Sequence, residues 1–461
     1  MIQSIIQFIT QQATDASIPL IATCENFFEK DKKGWTPEAQ AWVQTTHFQG
    51  KPRTLCLVPK NGQQLSQVIY GVSTDPFEAF WDAAFLASHL PSHHTYHFES
   101  AASQTTIMAW ALASYYFHID KNQPKAIPTL YVKDSINLSA VKATIDAIFL
   151  IRTLINRPAN LLTPADLASQ AQTIAKKNGA TFKEIIGDNL LKENYPLIHT
   201  VGKAATTPPR FVEITWGDPK HFHLVLVGKG ITFDTGGLHI KTGHYMNLMK
   251  KDMGGAAHAL GLSAWIMDQK LPIHLTLCLP IAENAIAGNA MRPGDIVRSR
   301  SGLSVAIEDT DAEGRLILAD ALTRAAELTP DLIIDFATLT GAARVALGTD
   351  LPALFTNREA HQETLMNVVK ETLDPLWPLP LWAGYKESLK SPVADLQNIS
   401  TSPQGGAITA ALFLQKFVGT TPWIHMDMMA WNMHNRPGRP VGGDAQAFRT
   451  FCSFVENICS R

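Results

Sequence analysis

The sequence predicts an α/β protein of two domains: a C-terminal domain on a mostly parallel central sheet flanked by helices, and a smaller N-terminal α/β domain. Two observations carry this. A chain of 461 residues exceeds what one hydrophobic core usually organises, so two domains are expected. Beyond about residue 157, short apolar runs alternate with helical patterns, which calls for parallel strands covered on both faces.

The elements follow in chain order. Met1–Leu20 is moderately apolar but lacks a basic start and contains Gln, Thr and Asp, so it does not read as a signal peptide. Thr54–Pro59 and Ile127–Val132 have strand character, and Phe77–Leu90 and Thr105–Phe117 have helical spacing. Trp81, Trp110, Tyr115 and Tyr116 read as core or interface residues rather than a ligand cage. Ser139–Asn156 is a long helical pattern with Ile145, Ile148, Ile151, Leu154 and Ile155 on one face. The expected division is therefore a domain over 1–138, a linker helix over 139–156 and a second domain over 157–461. In that domain Thr181–Ile186, Ile198–Val201, Phe211–Trp216, Leu224–Val227, His274–Leu279, Leu303–Ile307, Leu332–Ala337 and Trp423–Met428 read as strands. Gly255–Met267, Gly314–Glu327, His361–Thr372 and Gly406–Phe417 read as helices. No internal repeat and no low-complexity tract interrupts them.

Composition narrows the class. Hydrophobic residues at 46% and charged residues at 17% supply ample core material for a soluble globular protein. A formal net charge of −2 gives no general attraction to nucleic acid or anionic lipid. The five cysteines, Cys24, Cys56, Cys278, Cys452 and Cys459, are odd in number and lack metal-type spacing, which fits reduced thiols in a cytoplasm. No apolar run reaches the ~18 residues of a membrane span.

Two stretches concentrate the chemistry. Val225–Ala257 begins as a continuous apolar strand, which Gly228-Lys229-Gly230 breaks where parallel sheets present ligand sites. Lys229, Asp234, Lys241 and Asp252 follow within it. In the second stretch, Glu308, Asp309, Asp311 and Glu313 fall just after the strand-like Leu303–Ile307. Thr310 and Glu313 have the spacing of a helix capping box, but capping explains neither Asp309 nor Asp311. Carboxylates this dense repel unless cations compensate them. Asp234, Asp252, Asp311 and Glu313 suit a pair of divalent cations, as hard oxygen ligands do. Spacing alone would make Lys229 an oxyanion or phosphate binder. Neither glycine-rich phosphate-loop pattern is present, and no motif supports a serine or cysteine nucleophile.

At these stretches the chain resembles the leucine aminopeptidase (cytosol aminopeptidase) family, whose signature is close to NTDAEGRL and reads DTDAEGRL here. The resemblance extends over VGKGITFDTGG, MKKDMGGAA, ATLTGA (Ala337–Ala342), ADLQN (Ala394–Asn398), GGAITAALFLQKFV (Gly405–Val418) and WIHMDM (Trp423–Met428). It covers most of the chain after about residue 150, with no match in the N-terminal third. It implies a metallopeptidase domain over 157–461 that releases N-terminal, Leu-like residues from peptides, with broad tolerance. Two divalent ions, Zn²⁺ or Mn²⁺, would be held by Lys229, Asp234, Asp252, Asp311 and Glu313. Asp234 and Glu313 would bridge them, and Lys229 would bind one through a neutral amine. The resemblance assigns catalysis to Lys241, as the group that stabilises the oxyanion, and to Arg315, as the holder of a bicarbonate base. It places Met249, Thr338 and Gly341 in the pocket for the first side chain, and it implies a homohexamer. None of His239, His244, His258 and His425 matches a family ligand.

Two other functions stay open on the sequence: a narrow dipeptidase, and a DNA-binding or scaffold role that would need a basic stripe. Asp309 stands where the family signature has asparagine. If the segment is extended, Asp309 and Asp311 share a side about ~6.6 Å apart. Asp309 would then tighten metal binding and slow turnover; protonated, or turned towards a nearby basic side chain, it would instead behave as the asparagine does.

Overall fold

The computed structural model describes residues 8–12, 16–61, 64–119, 126–132 and 136–459. Residues 1–7 and 13–15 of the apolar start therefore lie outside the described residues. Contacts divide the chain into two compact units, one of Met1–Phe149 with His434–Val441 and one of Leu150–Met433 with Gly442–Arg461. The division falls inside the helix Leu138–Asn156. Among the described residues no helix is long and apolar enough to cross a membrane.

The first unit carries a six-stranded sheet in the order Ile9–Thr10, Thr129–Tyr131, Thr95–Phe98, Ile18–Thr23, Gln64–Gly71, Leu55–Lys60. All pairs are parallel except the last. Of the aromatic residues expected in the core or at an interface, Trp110 and Tyr115 are buried, and the indole N–H of Trp110 donates to Pro128 O at 3.1 Å. Tyr116 is exposed. The helix expected over Phe77–Leu90 is two helices, Pro76–Ala79 and Asp82–His89.

The second unit is organised by the strand Phe222–Gly228, whose Leu224–Val227 side chains are fully buried. It pairs in parallel with Ile273–Asn284 on one side and Leu332–Ala337 on the other. Trp423–Asp427 continues the parallel run beyond Leu332–Ala337. Antiparallel strands Arg210–Trp216 and Ala353–Thr356 flank this centre, so the nine-stranded sheet is mixed with a parallel core. The short strand Gly230–Asp234 pairs with the end of Ile273–Asn284. The carboxyl ends of the parallel strands thus converge on Lys229, Asp234, Thr338 and Asp427, where open α/β sheets bind their ligands.

Two expected strands behave differently. Ile198–Val201 belongs to the helix Pro196–Gly202. Proline at the first helical position presets the turn, and the buried Asp320 carboxylate accepts the N–H groups of Leu197 at 2.7 Å and Ile198 at 3.3 Å. Leu303–Ile307 contributes a strand, Ser304–Ala306, but to a separate small sheet with Ile296–Arg298 and Leu396–Gln397. That pairing matters for the site because it delivers Asn398 beside Asp309.

The helix Gly254–Asp268 is buried from Gly254 to Met267 and lies hard against the sheet. A β-carbon on Gly255 would press into Phe336 O and stand 2.8 Å from its carbonyl carbon, while one on Gly228 would stand 2.6 Å from Ala256 Cα. Backbone cannot yield as a side-chain tip can, so Gly255→Ala should lower the unfolding free energy by about 3 kcal/mol or more. Urea-induced unfolding checks it, and an unchanged midpoint would contradict so close an approach.

Candidate metal and catalytic site

Lys229 occupies the one-residue break between the strands Phe222–Gly228 and Gly230–Asp234, which run in the same direction along Ile273–Asn284. Its N–H donates to Phe336 O at 3.0 Å and its carbonyl accepts from Ala256 N at 2.8 Å, so strand, neighbouring strand and helix start fix its backbone together. Its side chain is buried, and Nζ lies 2.7 Å from Asp252 Oδ2 and 3.0 Å from Glu313 Oε1. It also donates to Thr338 O at 3.1 Å. Asp252 sits on the 3₁₀ turn Met249–Met253, and its Oδ1 accepts the Thr338 hydroxyl at 2.7 Å. The loop bearing Thr338 is itself pinned by Asp427, which accepts from Leu339 N, Thr340 N and the Thr340 hydroxyl.

A second cation lies alongside. Lys241 Nζ is 2.8 Å from Asp234 Oδ2 and is ion-paired with Asp311. Asp234 ends its strand, and its other oxygen accepts from Gly236 N and from Asn284 Nδ2, both at 2.9 Å. Positive φ at Gly236 and Gly237 turns the chain back. Lys241 N–H then returns to Thr235 O at 2.9 Å.

The segment carrying Asp311 and Glu313 departs from both local expectations. The helix Glu313–Glu327 has Ala312 at its N-cap with no side-chain cap bond, because the Thr310 hydroxyl donates to Gly236 O at 2.7 Å. There is no capping box. Nor is the segment extended: Asp309 Oδ1 accepts Asp311 N–H at 2.8 Å, closing a turn. The same oxygen lies 2.8 Å from His239 Nδ1, so Asp309 is directed away from the position that the extended geometry required. Asn398 holds the turn from outside, accepting from Glu308 N and Asp309 N and donating to Asp309 O. Arg315, in the first turn of the helix, donates through Nη1 to Asn398 O at 2.7 Å.

The electrostatics follow from four carboxylates facing two ammonium groups. Burial opposes the charge of Lys229, but Asp252, Glu313 and Asp234 outweigh it and hold Lys229 above its ordinary value. Lys241 is held up likewise, burial being outweighed by Asp234 and Glu313. Asp252 is the anion matched to Lys229: burial works against it, yet Lys229 and Lys251 keep it below the usual range. Glu313 is left with the surplus, and burial followed by Asp234 pushes it up to about 8. Asp311 rises to about 6 for the same two reasons. Burial brings Arg315 down to about 10 and the enclosed Lys251 to about 7.

One oxygen each from Asp234, Asp252 and Glu313 lies within 4.8 Å of the others, the spacing of groups that can share a metal ion. Glu313 Oε2 is buried without a hydrogen-bond partner, as an oxygen reserved for a cation would be. The buried donor set therefore fits a hard divalent ion. Asp311 is not one of these three and meets Lys241 and Asp234 instead. Of the pocket residues, Met249 and Thr338 are buried next to Asp252 in sequence and space respectively, and Gly341 is exposed at the start of the helix Gly341–Leu347. Among the histidines, His258 and His425 are buried in the fold, His425 against Asp335 at 2.6 Å, and His239 reaches the site's edge. Asn284, Asn398 and Gly314 were not singled out from the sequence. Asn398 ends the matched ADLQN stretch and was the most accessible of them.

Gly314 is what admits Lys229. A β-carbon there would stand 2.6 Å from Lys229 Nζ and 2.8 Å from its Cδ, so Gly314→Ala must displace the flexible lysine tip rather than backbone. Alanine is the better helix former by about 1 kcal/mol, so stability should hold while activity falls by about 10²-fold. Paired melting and rate measurements decide it, and a variant losing both together would mean that Gly314 serves the fold.

Residues 149–452 match the catalytic-domain model of the cytosol aminopeptidase family, and residues 18–132 match the N-terminal domain model of M17 aminopeptidases, which supplies the N-terminal match that no motif gave. A probable cytosol aminopeptidase of Syntrophotalea carbinolica is 37% identical over 77% of this chain and 75% of its own. One from Persephonella marina is 41% identical over 66% of this chain and 62% of its own. The crystal structure of cytosol aminopeptidase from Coxiella burnetii superposes with a TM-score of 0.93 at 41% identity, covering 98% of this chain and 99% of that one. The bottromycin maturation enzyme BotP in complex with Mn gives 0.86 at 30% identity, covering 96% and 100%. The chain belongs to the cytosol aminopeptidase family of peptide hydrolases.

Proposed function

We propose that this chain is a two-metal aminopeptidase that removes N-terminal residues, with Leu-like side chains preferred and others tolerated. The observation that carries the reading is the convergence of Asp234, Asp252, Asp311 and Glu313 on two lysines at the carboxyl ends of parallel strands. Lys229, Asp234, Asp252, Asp311 and Glu313 would hold two divalent ions, Zn²⁺ or Mn²⁺. Bound there, such ions would neutralise the carboxylates, activate a water and receive the substrate's free amino terminus.

The chain's own groups supply the rest. Lys241, cationic and fixed by Asp234 at 2.8 Å, polarises the scissile carbonyl and stabilises the oxyanion that develops on it. Arg315 is anchored through one Nη while its buried Nε has no partner, which leaves a donor for an anion. A bicarbonate held there would serve as the base that takes the proton of the attacking water. Met249, Thr338 and Gly341 would line the pocket for the first side chain. The substrate is a peptide or amino-acid amide with a free amino group. All five thiols are free, which supports a cytoplasmic setting. Trp382 at 61% and Val345 at 89% exposed support an assembly that covers them, which we take to be a homohexamer.

Exhaustive chelation should abolish hydrolysis of leucine amide, and Mn²⁺ should restore it. At pH 7 refilling should release about two protons, one from Lys229 and most of one from Glu313, whose carboxyl is held up to about 8. Deprotonation favours the metal, so affinity should climb with pH, more steeply below about 8 than above it. Calorimetry in buffers of different ionisation enthalpy measures the release. Hydrolysis that persists at negligible metal content ends the two-metal reading.

Lys241→Ala should lower kcat by about 10²-fold or more with metal content unchanged, while Asp252→Ala should lose metal. If Lys241→Ala empties a metal position instead, the roles of the two lysines are exchanged.

A further inference from the structure

We propose that His239 is a positioning residue for Lys241, acting through Asp309, an inference that rests on Lys241 meeting the substrate carbonyl. The reacting groups lie on two short segments with matched spacing, His239-Ile240-Lys241 and Asp309-Thr310-Asp311. Four contacts join them in register, the longest being Thr310 N–H at 3.3 Å from His239 Nδ1. His239 Nδ1 donates to Asp309 Oδ1 at 2.8 Å, His239 N–H donates to Thr310 Oγ1 at 2.8 Å, and the Lys241 ammonium pairs with Asp311. Asp309 Oδ1 also accepts Asp311 N–H at 2.8 Å. One carboxylate oxygen therefore connects the His239 ring to the backbone of the residue that Lys241 touches.

The two segments differ in how firmly they are held. Asn398 grips the Asp309 side through three hydrogen bonds to the backbone of Glu308 and Asp309. The His239 side follows two glycines at positive φ, and its apolar residues face outward, Leu238 at 41% and Ile240 at 53% exposed. Burial does not anchor it. Between Gly237 and Lys241 the backbone is held by Lys241 N–H on Thr235 O and His239 N–H on Thr310, and side chains hold it only at the His239 ring on Asp309 and at the Lys241 ammonium on Asp234 and Asp311. The ring is itself half exposed at 46%, so packing does not explain its orientation. Asparagine at 239 could place its Nδ2 where imidazole Nδ1 stands, since both lie at the same distance along the side chain; alanine offers no donor.

Slack in a positioned group costs rate far more than affinity. His239→Ala should reduce kcat about tenfold with KM changed less than about twofold, at full metal content. His239→Asn should recover kcat to within about threefold of the parent. Asp309→Ala should lose at least as much as His239→Ala, since it also takes away the acceptor of Asp311 N–H, and the double variant should lose little more than Asp309→Ala alone, since the His239 ring then has no carboxylate left to hold. Independently of activity, deuterium uptake over 235–241 and 308–312 in chelated protein should rise in His239→Ala and stay at the parent level in His239→Asn. An unchanged kcat in His239→Ala, additive losses in the double variant, or failure of asparagine to rescue would each overturn the proposal. If Lys241→Ala keeps the parent kcat, the role given to Lys241 falls and the proposal with it; the uptake measurement then separates that failure from one in which His239 never held the segment.

Discussion

Lys229 and the carboxylates around it set the terms for the whole site. Four acidic side chains brought together in a largely buried volume repel one another and resist ionisation, and only compensating cations make the arrangement tenable. Lys229 is 3% exposed at its side chain and spans Asp252 on one turn and Glu313 at a helix start, so it joins elements distant in sequence. One ammonium cannot satisfy both partners equally. Asp252 takes the ionic role and Glu313 is pushed up to about 8. A site tuned in this way gains most from a divalent ion, because the ion relieves the carboxylate that the lysine leaves unmatched.

That arrangement requires glycine at the points of closest approach. Gly255 lets the buried helix lie against the Phe336 carbonyl, and Gly314 leaves the space that Lys229 Nζ fills. The first depends on the parallel register that sets Leu332–Ala337 beside Phe222–Gly228. The sheet therefore does more than supply a core. Its strand ends fix Lys229, Asp234 and the Thr338 loop, and the small sheet that includes Ser304–Ala306 and Leu396–Gln397 fixes the Asp309 turn through Asn398.

Much of this was legible because the sequence concentrates charge where an apolar strand stops. Val225–Ala257 and Glu308–Leu316 stand out on that ground alone, and their motifs led to the family. The strands Thr181–Ile186 and Leu332–Ala337 lie where the apolar pattern put them. Ile198–Val201 forms a helix where the sequence suggests a strand because four residues with two β-branched apolar ends, Ile198 and Val201, are too short to show either period; the deciding partner, Asp320, is more than a hundred positions away. Asn398 and Asn284 act across separations of 89 and 50 residues, which no local pattern encodes. Asp309 was assigned an extended neighbourhood, and the turn closed by its own Oδ1 on Asp311 N–H removed that premise.

The same turn changes what an aspartate at 309 means. Read as an extended segment, it is a further negative charge aimed at the metals, which would tighten them and slow the chemistry. In the turn its Oδ1 accepts from the Asp311 backbone and faces His239, so its charge is spent on holding two segments in register. A carboxylate favours a histidine donor more strongly than an amide oxygen would, which ties the departure at 309 to the presence of an imidazole at 239. The two residues are then one feature. Charge added beside a charged site is thereby turned towards His239 and serves as a tether for the loop that carries Lys241.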